Sequence, residues 1–357
     1  MMDHEDLHDG VFVGIDWGGQ HHQLCVLDQD GTRRLETRID HDVAGLVGLD
    51  RTLATFGDRL PVAIERSEGL LVERLQAASH LVFPVSPRIA ARARERYRVA
   101  PVKDDIFDAF VLADTLRHEH GHWRPLPLPS AVLAELRALT RDRARLLDNP
   151  QTVESQLRAI LDAYHPAPVR LFSSMDRQIA LKFVQDYPTP AIASRVRAAR
   201  MQGFLTRHGY SGRTPAQTLA QRMRDNLLTG AEGTVAGKSF SAQTFARLLE
   251  LLNEQLAAYD DAIASTLAEH PDASIFASFP GVGPVLSAVL LAEIGEDRDR
   301  FPRPEILLAE AGLAPVTRAS GRTCSVRFRY AANTRLREAC MWWAFNSLKV
   351  SPWANEA

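Results

Sequence analysis

The order of apolar segments predicts an α/β domain at the N-terminus, followed by a long helical region and a mostly helical C-terminal domain. Short apolar runs bounded by turn signals recur between residues 11 and 85, which is typical of strands. After residue 130 the apolar positions recur at spacings of three and four, which is typical of helices. With 357 residues, the chain is long enough for two or three domains, each with its own core.

The N-terminal elements can be assigned in order. Residues 11–16 form an apolar run, residues 23–27 alternate, and residues 33–39 follow the Asp30-Gly31 turn signal, so we predict three strands. The next elements are predicted as helix, strand, helix, strand and helix, over residues 42–56, 61–65, 68–78, 81–85 and 105–118. This β-β-β-α-β-α-β-α order is that of an RNase H-like domain, whose metal-binding acids lie on the first strand, the fourth strand and a late helix.

Four carboxylates occupy those positions. Asp16 ends the first strand and Glu65 ends the fourth. Asp105 and Asp108 are three residues apart, so they share one face of the late helix. Carboxylates at the ends of apolar strands are costly without a cation, and oxygen ligands suit Mg²⁺ or Mn²⁺. We therefore predict two divalent ions roughly 3.5–4 Å apart; Asp104 is the alternative to Asp105, less favoured because it is not three residues from Asp108.

The composition is that of an ordinary soluble protein, with 45% hydrophobic and 24% charged residues. No apolar run approaches the roughly eighteen residues that span a bilayer, and the acidic, His-rich N-terminus is unlike a signal peptide. Three cysteines without a Cys-x-x-Cys spacing indicate a reducing compartment and no structural zinc. We expect a cytoplasmic protein.

The net charge of −2 hides two basic clusters. Residues 86–103 carry about five net positive charges, ending at Lys103, and residues 313–337 carry about six. Both clusters flank the candidate chemistry, which favours contact with nucleic-acid phosphates. The alternative is that they are solvated helix faces, and Lys103 itself either contacts a phosphate or is simply solvated. His21-His22, in a predicted hairpin turn, is expected to be solvated.

The middle of the chain is predicted to be helical. A stiff Pro-rich connector at 126–129 precedes a helix that starts at the N-cap Ser130. Pro150 is expected to interrupt this helix, which then resumes over residues 152–163. Residues 168–240 are polar and give little information. From Phe245 an apolar seam predicts coiled-coil-like helix pairing, within the chain or between chains, at positions 245, 249, 252, 256, 259, 263 and 267.

The C-terminal third offers two candidate sites. Pro280-Gly-Val-Gly283 resembles the turn of a helix-hairpin-helix element, in which Gly281 and Gly283 let backbone N–H groups reach a phosphate; the alternative is an ordinary Gly-rich turn. Ser320 is followed by Gly321 and lies between Arg318 and Arg322, which could neutralise a phosphate. A serine is a weak nucleophile unless a base or metal activates it, so the alternative here is a turn residue.

The chain resembles a known family at motifs spread over nearly its whole length. The N-terminal motifs are Gly14-Ile-Asp16, Ala63-Ile-Glu65 and Lys103-x-Asp105-x-x-Asp108-Ala109-x-x-Leu112-Ala113. The C-terminal motifs are Pro280-Gly-Val-Gly283, Ala311-Gly-Leu-x-Pro315, Ser320-Gly321 and Asn333-x-x-Leu336-Arg337. Together they are similar to those of the RNA-guided insertion-sequence transposases of the IS110 type, which are related to Piv-type DNA invertases.

The resemblance implies a RuvC-like Asp-Glu-Asp-Asp domain over residues 1–125, a helical coiled-coil region over 126–270 and a serine-containing transposase domain over 271–357. It implies that Asp16, Glu65, Asp105 and Asp108 bind Mg²⁺. It also implies that Ser320 attacks a DNA phosphate, which leaves a covalent phosphoserine link and a free 3′-OH for later re-ligation.

The resemblance further implies partners. They are double-stranded donor and target DNA and a structured bridge RNA that pairs with both, in a protein of the bacterial cytoplasm, associated with the nucleoid. Dimers that pair into tetramers would let the acids of one subunit serve the serine of another. The chain departs from the family pattern at Asp104, usually Thr or Ser, and at Tyr330-Ala-Ala-Asn333, which lacks a glycine. The family usually continues past residue 354 with another helix, so we expect a shortened C-terminus.

Two other functions fit the same residues. In a RuvC-like junction nuclease, water rather than Ser320 would attack the phosphodiester, and two metal ions would do all the chemistry. In a binding module without activity, the acids would serve no catalytic purpose, and the intact set of four carboxylates counts against this.

Overall fold

The computed structural model describes residues 10–97, 104–321 and 323–356. The chain separates into two units, residues 1–128 and 129–357. In the described part of the chain, no helix is both long and apolar enough to cross a membrane. The division into three domains at 125/126 and 270/271 stays a prediction.

The first unit is built on a five-stranded sheet with the strand order β3-β2-β1-β4-β5. The first three strands are antiparallel neighbours, whereas β4 lies parallel to both β1 and β5. The strands are β1 (Phe12–Asp16), β2 (His21–Leu27), β3 (Arg33–Asp40), β4 (Pro61–Ile64) and β5 (Leu81–Pro84), and the helices are α1 (Val43–Ala54), α2 (Leu70–Ala77), α3 (Pro87–Glu95) and α4 (Asp105–Glu119).

Helices cover both faces of this sheet. Because side chains alternate along a strand, Val13 and Ile15 of β1 face one side, where they join the buried leucines of α1 and α2. Phe12 faces the other side and joins a second core with Leu112 and Leu116 of α4. The order of elements matches the predicted order except for α3 (Pro87–Glu95), a helix that was not predicted, and the mixed sheet between helices fits an RNase H-like domain.

Gly14 sets the spacing between β1 and α4. A Cβ atom at Gly14 would lie 2.1 Å from the Ala109 carbonyl oxygen and 2.4 Å from the Ala113 nitrogen, so no larger residue fits without moving the helix. Both alanines are fully buried. These three small residues let the helix backbone lie directly on the strand.

The second unit is mostly helical. Its helices are α5 (Ala131–Tyr164), α6 (Ala167–Leu171), α7 (Gln178–Asp186), α8 (Pro190–Ala193), α9 (Ala198–Arg207), α10 (Ala216–Asp225), α11 (Glu232–Ala268), α12 (Ala273–Ala277), α13 (Pro284–Ile294), α14 (Pro304–Glu310), α15 (Thr334–Ser347) and α16 (Pro352–Glu356). An antiparallel hairpin, β6 (Val316–Ser320) and β7 (Thr323–Arg327), lies between α14 and α15.

The prediction that Pro150 interrupts the first long helix is wrong. Helix α5 runs without a break through Pro150, whose ring is buried. A proline inside a helix removes one backbone hydrogen bond and crowds the preceding turn. Here tertiary packing offsets that cost, because α5 lies along the 37-residue helix α11 and contributes to two cores of the unit.

Residues 168–240, which are uninformative in sequence, contain much of one hydrophobic core. Helices α6 to α10 pack there with parts of α5 and α11, around Phe183, Phe204 and Tyr164. The predicted seam on α11 is buried at Leu249, Ile263 and Leu267 but only partly buried at Leu256. A coiled coil therefore stays a prediction.

Replacing Gly14 tests the packing of α4 on the sheet. We expect Gly14→Ala to lower the free energy of unfolding by about 1–3 kcal/mol, because the added methyl overlaps the α4 backbone. Gly19→Ala is the matched control, since a Cβ there meets nothing within 4 Å. Urea unfolding followed by circular dichroism measures both, and equal midpoints for the two variants would contradict the proposed spacing role.

Candidate active site

The ends of two parallel strands bring the first two acids together. Ile15 of β1 pairs with Ile64 of β4, so the next residues, Asp16 and Glu65, lie side by side at the ends of the two strands. Asp108 projects from the first turn of α4 with its side chain 5% exposed, and Asp105 is exposed at the start of the same helix. The four carboxylates line one pocket of about 320 Å³.

Arg94 lies inside this pocket. Its Nη2 group donates a hydrogen bond to Glu65 Oε1 at 2.8 Å, and its Nε group donates to Asp108 Oδ1 at 2.5 Å. One guanidinium from α3 therefore bridges a strand acid and a helix acid. In the sequence, Arg94 belongs to the basic cluster 86–103, which is expected to contact nucleic-acid phosphates. One signal could have distinguished it, because Arg88, Arg92 and Arg96 recur every four residues and Arg94 lies off that row.

The pocket remains short of positive charge despite Arg94. Burial, together with the nearby charges of Asp108, Asp105 and Glu65, raises the pKa of Asp16 to about 6, against the opposing effect of Arg94. Among the described residues that line the pocket, one arginine thus faces four carboxylates. Either a proton or a further cation has to compensate the remaining charge.

Asp104 has a different task from its neighbour. Its carboxylate caps α4 by accepting a hydrogen bond from the Ile106 backbone N–H at 3.2 Å, whereas Asp105 lines the pocket. Asp105 therefore shares the pocket with the other three acids, and its role as a metal ligand stays a prediction. Lys103 lies outside the described residues.

Other residues complete the pocket wall. Trp17, His21 and Gln23 line it, and the Arg66 guanidinium lies 3.9 Å from the centre of the Trp17 ring. The expectation that His21-His22 is solvated is wrong for His22. That ring is 1% exposed and shares a 2.8 Å hydrogen bond with His41.

Ser320 is the last residue of β6, at the exposed end of the hairpin in the second unit. The register pairs Ser320 with Thr323, Arg318 with Ser325 and Val316 with Arg327, so these six side chains share one face of the hairpin. Gly321, with φ of +54°, makes the turn, and Arg322 lies outside the described residues. No described residue forms a hydrogen bond with the Ser320 hydroxyl. In the sequence Arg327 counts only as a member of the basic cluster 313–337, and alternation along β7 would have placed it on the same face.

An arginine side chain of α15 holds the base of the hairpin by hydrogen bonds to backbone carbonyls. The Arg337 Nε group donates to the Ala311 carbonyl at 3.1 Å, and its Nη2 group donates to the Arg329 carbonyl at 2.6 Å. Arg329 in turn donates to the Ala314 carbonyl at 3.1 Å. These bonds tie both ends of the hairpin to one helix, which fixes the segment that presents Ser320.

A buried carboxylate fixes α15 itself. Asn333 caps α15 by accepting from the Leu336 N–H at 3.1 Å, and it donates to Glu293 of α13 at 2.8 Å. Arg141 of α5 and Arg335 also donate to Glu293, at 3.0 and 3.1 Å. Burial would raise the pKa of Glu293, but the hydrogen bonds and charges of these partners hold it below its usual range.

The two glycines of the α12–α13 turn differ in their surroundings. A Cβ atom at Gly281, where φ is +75°, would lie 2.7 Å from the Asn346 carbonyl carbon, so this glycine lets the turn contact α15. Gly283 precedes α13, and a Cβ there would meet open space. Gly281 therefore has a packing role whether or not the turn also binds a phosphate, and phosphate binding at Gly281 and Gly283 stays a prediction.

Comparison with known proteins places this arrangement in a family. A DEDD transposase domain model, described as a transposase, matches residues 13–166, and a model of the transposase IS116/IS110/IS902 family matches residues 273–357. A mini-circle putative transposase for IS117 from Streptomyces coelicolor is 41% identical over 97% of this chain and 86% of its own length. The chain belongs to the IS116/IS110/IS902 family of transposases.

Other relatives of this transposase come from insertion elements as well. An IS900 protein of 42 kDa from Mycobacterium paratuberculosis is 31% identical, over 96% of this chain and 86% of its own length. An IS116 protein of 44.8 kDa from Streptomyces clavuligerus is 30% identical, over 88% of this chain and 78% of its own length. The protein is thus a DNA transposase of an insertion sequence, and the matched DEDD domain indicates a divalent metal.

The acid pocket of the transposase fits such a metal by its chemistry. Carboxylate oxygens are the ligands that Mg²⁺ and Mn²⁺ prefer, and the pKa of Asp16 is raised by burial and by the charges of the three neighbouring carboxylates. Among the described residues, however, no three acidic, histidine or cysteine side chains are grouped closely enough to hold one ion. Arg94 engages one oxygen each of Glu65 and Asp108, so a metal ion at these acids would share them with Arg94 or displace it.

Replacing Arg94 tests its role as the internal cation. We expect Arg94→Gln to destabilise the protein in EDTA by about 2 kcal/mol, because the buried Asp108 carboxylate loses its partner. Mg²⁺ should restore most of the loss, since a divalent ion replaces the missing charge. Arg92→Gln, an exposed residue on the same helix, is the control. Thermal unfolding with and without Mg²⁺ measures both, and an Arg94→Gln midpoint equal to the control's in EDTA would disprove this role.

Proposed function

We propose that this transposase cuts and rejoins DNA through attack of the Ser320 hydroxyl on a phosphodiester, assisted by Mg²⁺ or Mn²⁺ at Asp16, Glu65, Asp105 and Asp108. The observation that carries the proposal is the setting of Ser320. It is exposed at the end of a hairpin, on a face that also presents Arg318 two residues away and Arg327 nearer the base. A guanidinium group two residues from a serine hydroxyl on the same face can bind a phosphate next to a nucleophile.

The reaction balances without a cofactor that is consumed. The Ser320 hydroxyl loses its proton, its Oγ forms a bond to phosphorus, and the bond between phosphorus and the DNA 3′ oxygen breaks. The leaving oxygen takes up a proton and becomes a free 3′-OH. Because the phosphoserine ester keeps the bond energy, a 3′-OH of a second DNA can attack it, which rejoins the strands and restores the serine.

Activation of Ser320 has to come from outside the hairpin. No described residue hydrogen-bonds its hydroxyl, and a serine hydroxyl is a weak nucleophile without a base or metal. Bound Mg²⁺ would supply positive charge for the phosphate oxygens and lower the pKa of an oxygen nucleophile. The chain's own contribution is to hold the acids together on β1, β4 and α4 and to hold the hairpin through Arg337.

We further propose the assembly that the family resemblance implies. The acids and Ser320 belong to different units of the chain. Dimers that pair into tetramers on double-stranded DNA would let one subunit's acids serve another's serine. A structured bridge RNA would select donor and target DNA by base pairing, with Lys103, Arg318, Arg322 and the Gly281–Gly283 turn on nucleic-acid phosphates. The match to transposases does not favour the alternative of a junction nuclease that uses water.

Replacing Ser320 separates serine attack from water attack. We expect Ser320→Ala to lose covalent protein–DNA adducts by at least about a thousandfold, because the attacking oxygen is gone. Ser325→Ala is the matched control, since Ser325 lies on the same exposed face two residue pairs away. The assay traps adducts with detergent after incubation with Mg²⁺ and labelled DNA that carries the element ends. Adducts that persist in Ser320→Ala would rule out the proposed nucleophile.

A further inference from the structure

A basic pocket lies in the second unit, away from the elements that carry Ser320. It has a volume of about 610 Å³ and is formed by the ends of α6 and α10, the start of α7 and the loop 208–215 between α9 and α10. Its lining includes four arginines, and none of the described residues that line it is acidic. These arginines are Arg170, Arg177, Arg213 and Arg222.

The positive charge of this pocket is not compensated within the unit. All four arginines are exposed, and none forms a salt bridge with the described residues. By contrast, His208, on the same pocket wall, lies 3.5 Å from the Asp186 carboxylate. Four like charges around one concavity repel each other unless an anion enters, so the pocket should attract a polyanion.

The shape of the pocket suits a nucleotide. Leu171 and Phe172, which are buried, contribute apolar surface, and the half-buried Tyr210 contributes an aromatic ring. Gly212 lies against the hydroxyl end of that ring, since a Cβ there would lie 2.2 Å from the Tyr210 hydroxyl oxygen. Gln178, in the first turn of α7, also lines the pocket, and no side chain caps that helix. The pocket thus combines cations, uncapped backbone N–H groups and an aromatic surface.

We propose that this pocket binds a single-stranded segment of nucleic acid, with successive phosphates on the arginines and a base against Tyr210. The arginines come from separate elements around the rim, which suits several linked phosphates better than one free phosphate. The volume is that of a small-molecule site, so it admits one or two nucleotides and not a duplex. The site adds a nucleic-acid contact in the helical region and does not depend on the chemistry of Ser320.

The test compares two double variants with equal charge changes. Arg213→Gln with Arg222→Gln removes two pocket arginines. Arg195→Gln with Arg247→Gln removes two exposed arginines of the same unit that do not line the pocket. The probes are a labelled single-stranded RNA of about 20 nucleotides and the DNA strand of the same sequence, with fluorescence anisotropy recorded from low to high salt. Circular dichroism checks that each variant is folded.

We expect the pocket variant to bind at least one probe roughly tenfold more weakly at low salt, with a salt-dependence slope reduced by about 1.4, since a single strand contributes about 0.7 per phosphate contact. The control variant should bind both probes as the parent does. A loss confined to RNA identifies the segment as RNA, and a loss confined to DNA identifies it as DNA. Unchanged binding, or an equal loss in the control, would overturn the proposal. Ser320→Ala should bind both probes normally, so failure of the serine mechanism would not be confused with failure of this site.

Discussion

The contact of α4 with β1 is the constraint on which the acid pocket depends. Asp16 lies on the strand and Asp108 on the helix, so their separation is set by how closely the two backbones approach. Gly14 has no side-chain carbon, and Ala109 and Ala113 have only a Cβ, so no larger side chain holds the helix away from the strand. The motif residues beside the acids therefore have a steric task, which is to bring carboxylates from two elements into one pocket against their mutual repulsion.

That repulsion explains the place of Arg94. Four carboxylates in a partly buried pocket need positive charge, and α3 supplies one guanidinium that bridges Glu65 and Asp108. Among the described lining residues this arginine faces four carboxylates, and burial and the charges of the other three carboxylates raise the pKa of Asp16. Arg94 thus offsets only part of the negative charge of the four carboxylates, which is consistent with a site that also receives divalent metal ions.

The second unit uses a different means to position its candidate residue. Ser320 lies on an exposed hairpin, which has little buried surface of its own. Its position is set at the base of the hairpin, where Arg337 donates to the Ala311 and Arg329 carbonyls before and after the two strands. Asn333, at the start of α15, donates in turn to Glu293. The C-terminal motif residues Asn333 and Arg337 therefore position Ser320 indirectly, by fixing α15 and the segments on either side of the hairpin.

Local sequence signals predicted most of the first unit, because strand alternation, turn residues and acid spacing are properties of short segments. Arg94 could not be assigned to the acids in this way, since its role depends on how α3 meets β4 and α4. Pro150 misled the prediction because packing against α11 outweighs a local helix cost. The pocket around Arg213 stayed hidden because its arginines are far apart in sequence and meet only after five short helices have packed.

The most direct test of the account mixes two inactive proteins. Asp16→Ala lacks an acid ligand and keeps Ser320, whereas Ser320→Ala lacks the nucleophile and keeps the acids. With Mg²⁺ and labelled element DNA, neither protein alone should form a covalent adduct, and the mixture should form one on the Asp16→Ala chain, marked by a size tag. An adduct formed by Asp16→Ala alone would contradict the claim that the acid pocket serves the serine, and a mixture that forms none would contradict action between subunits.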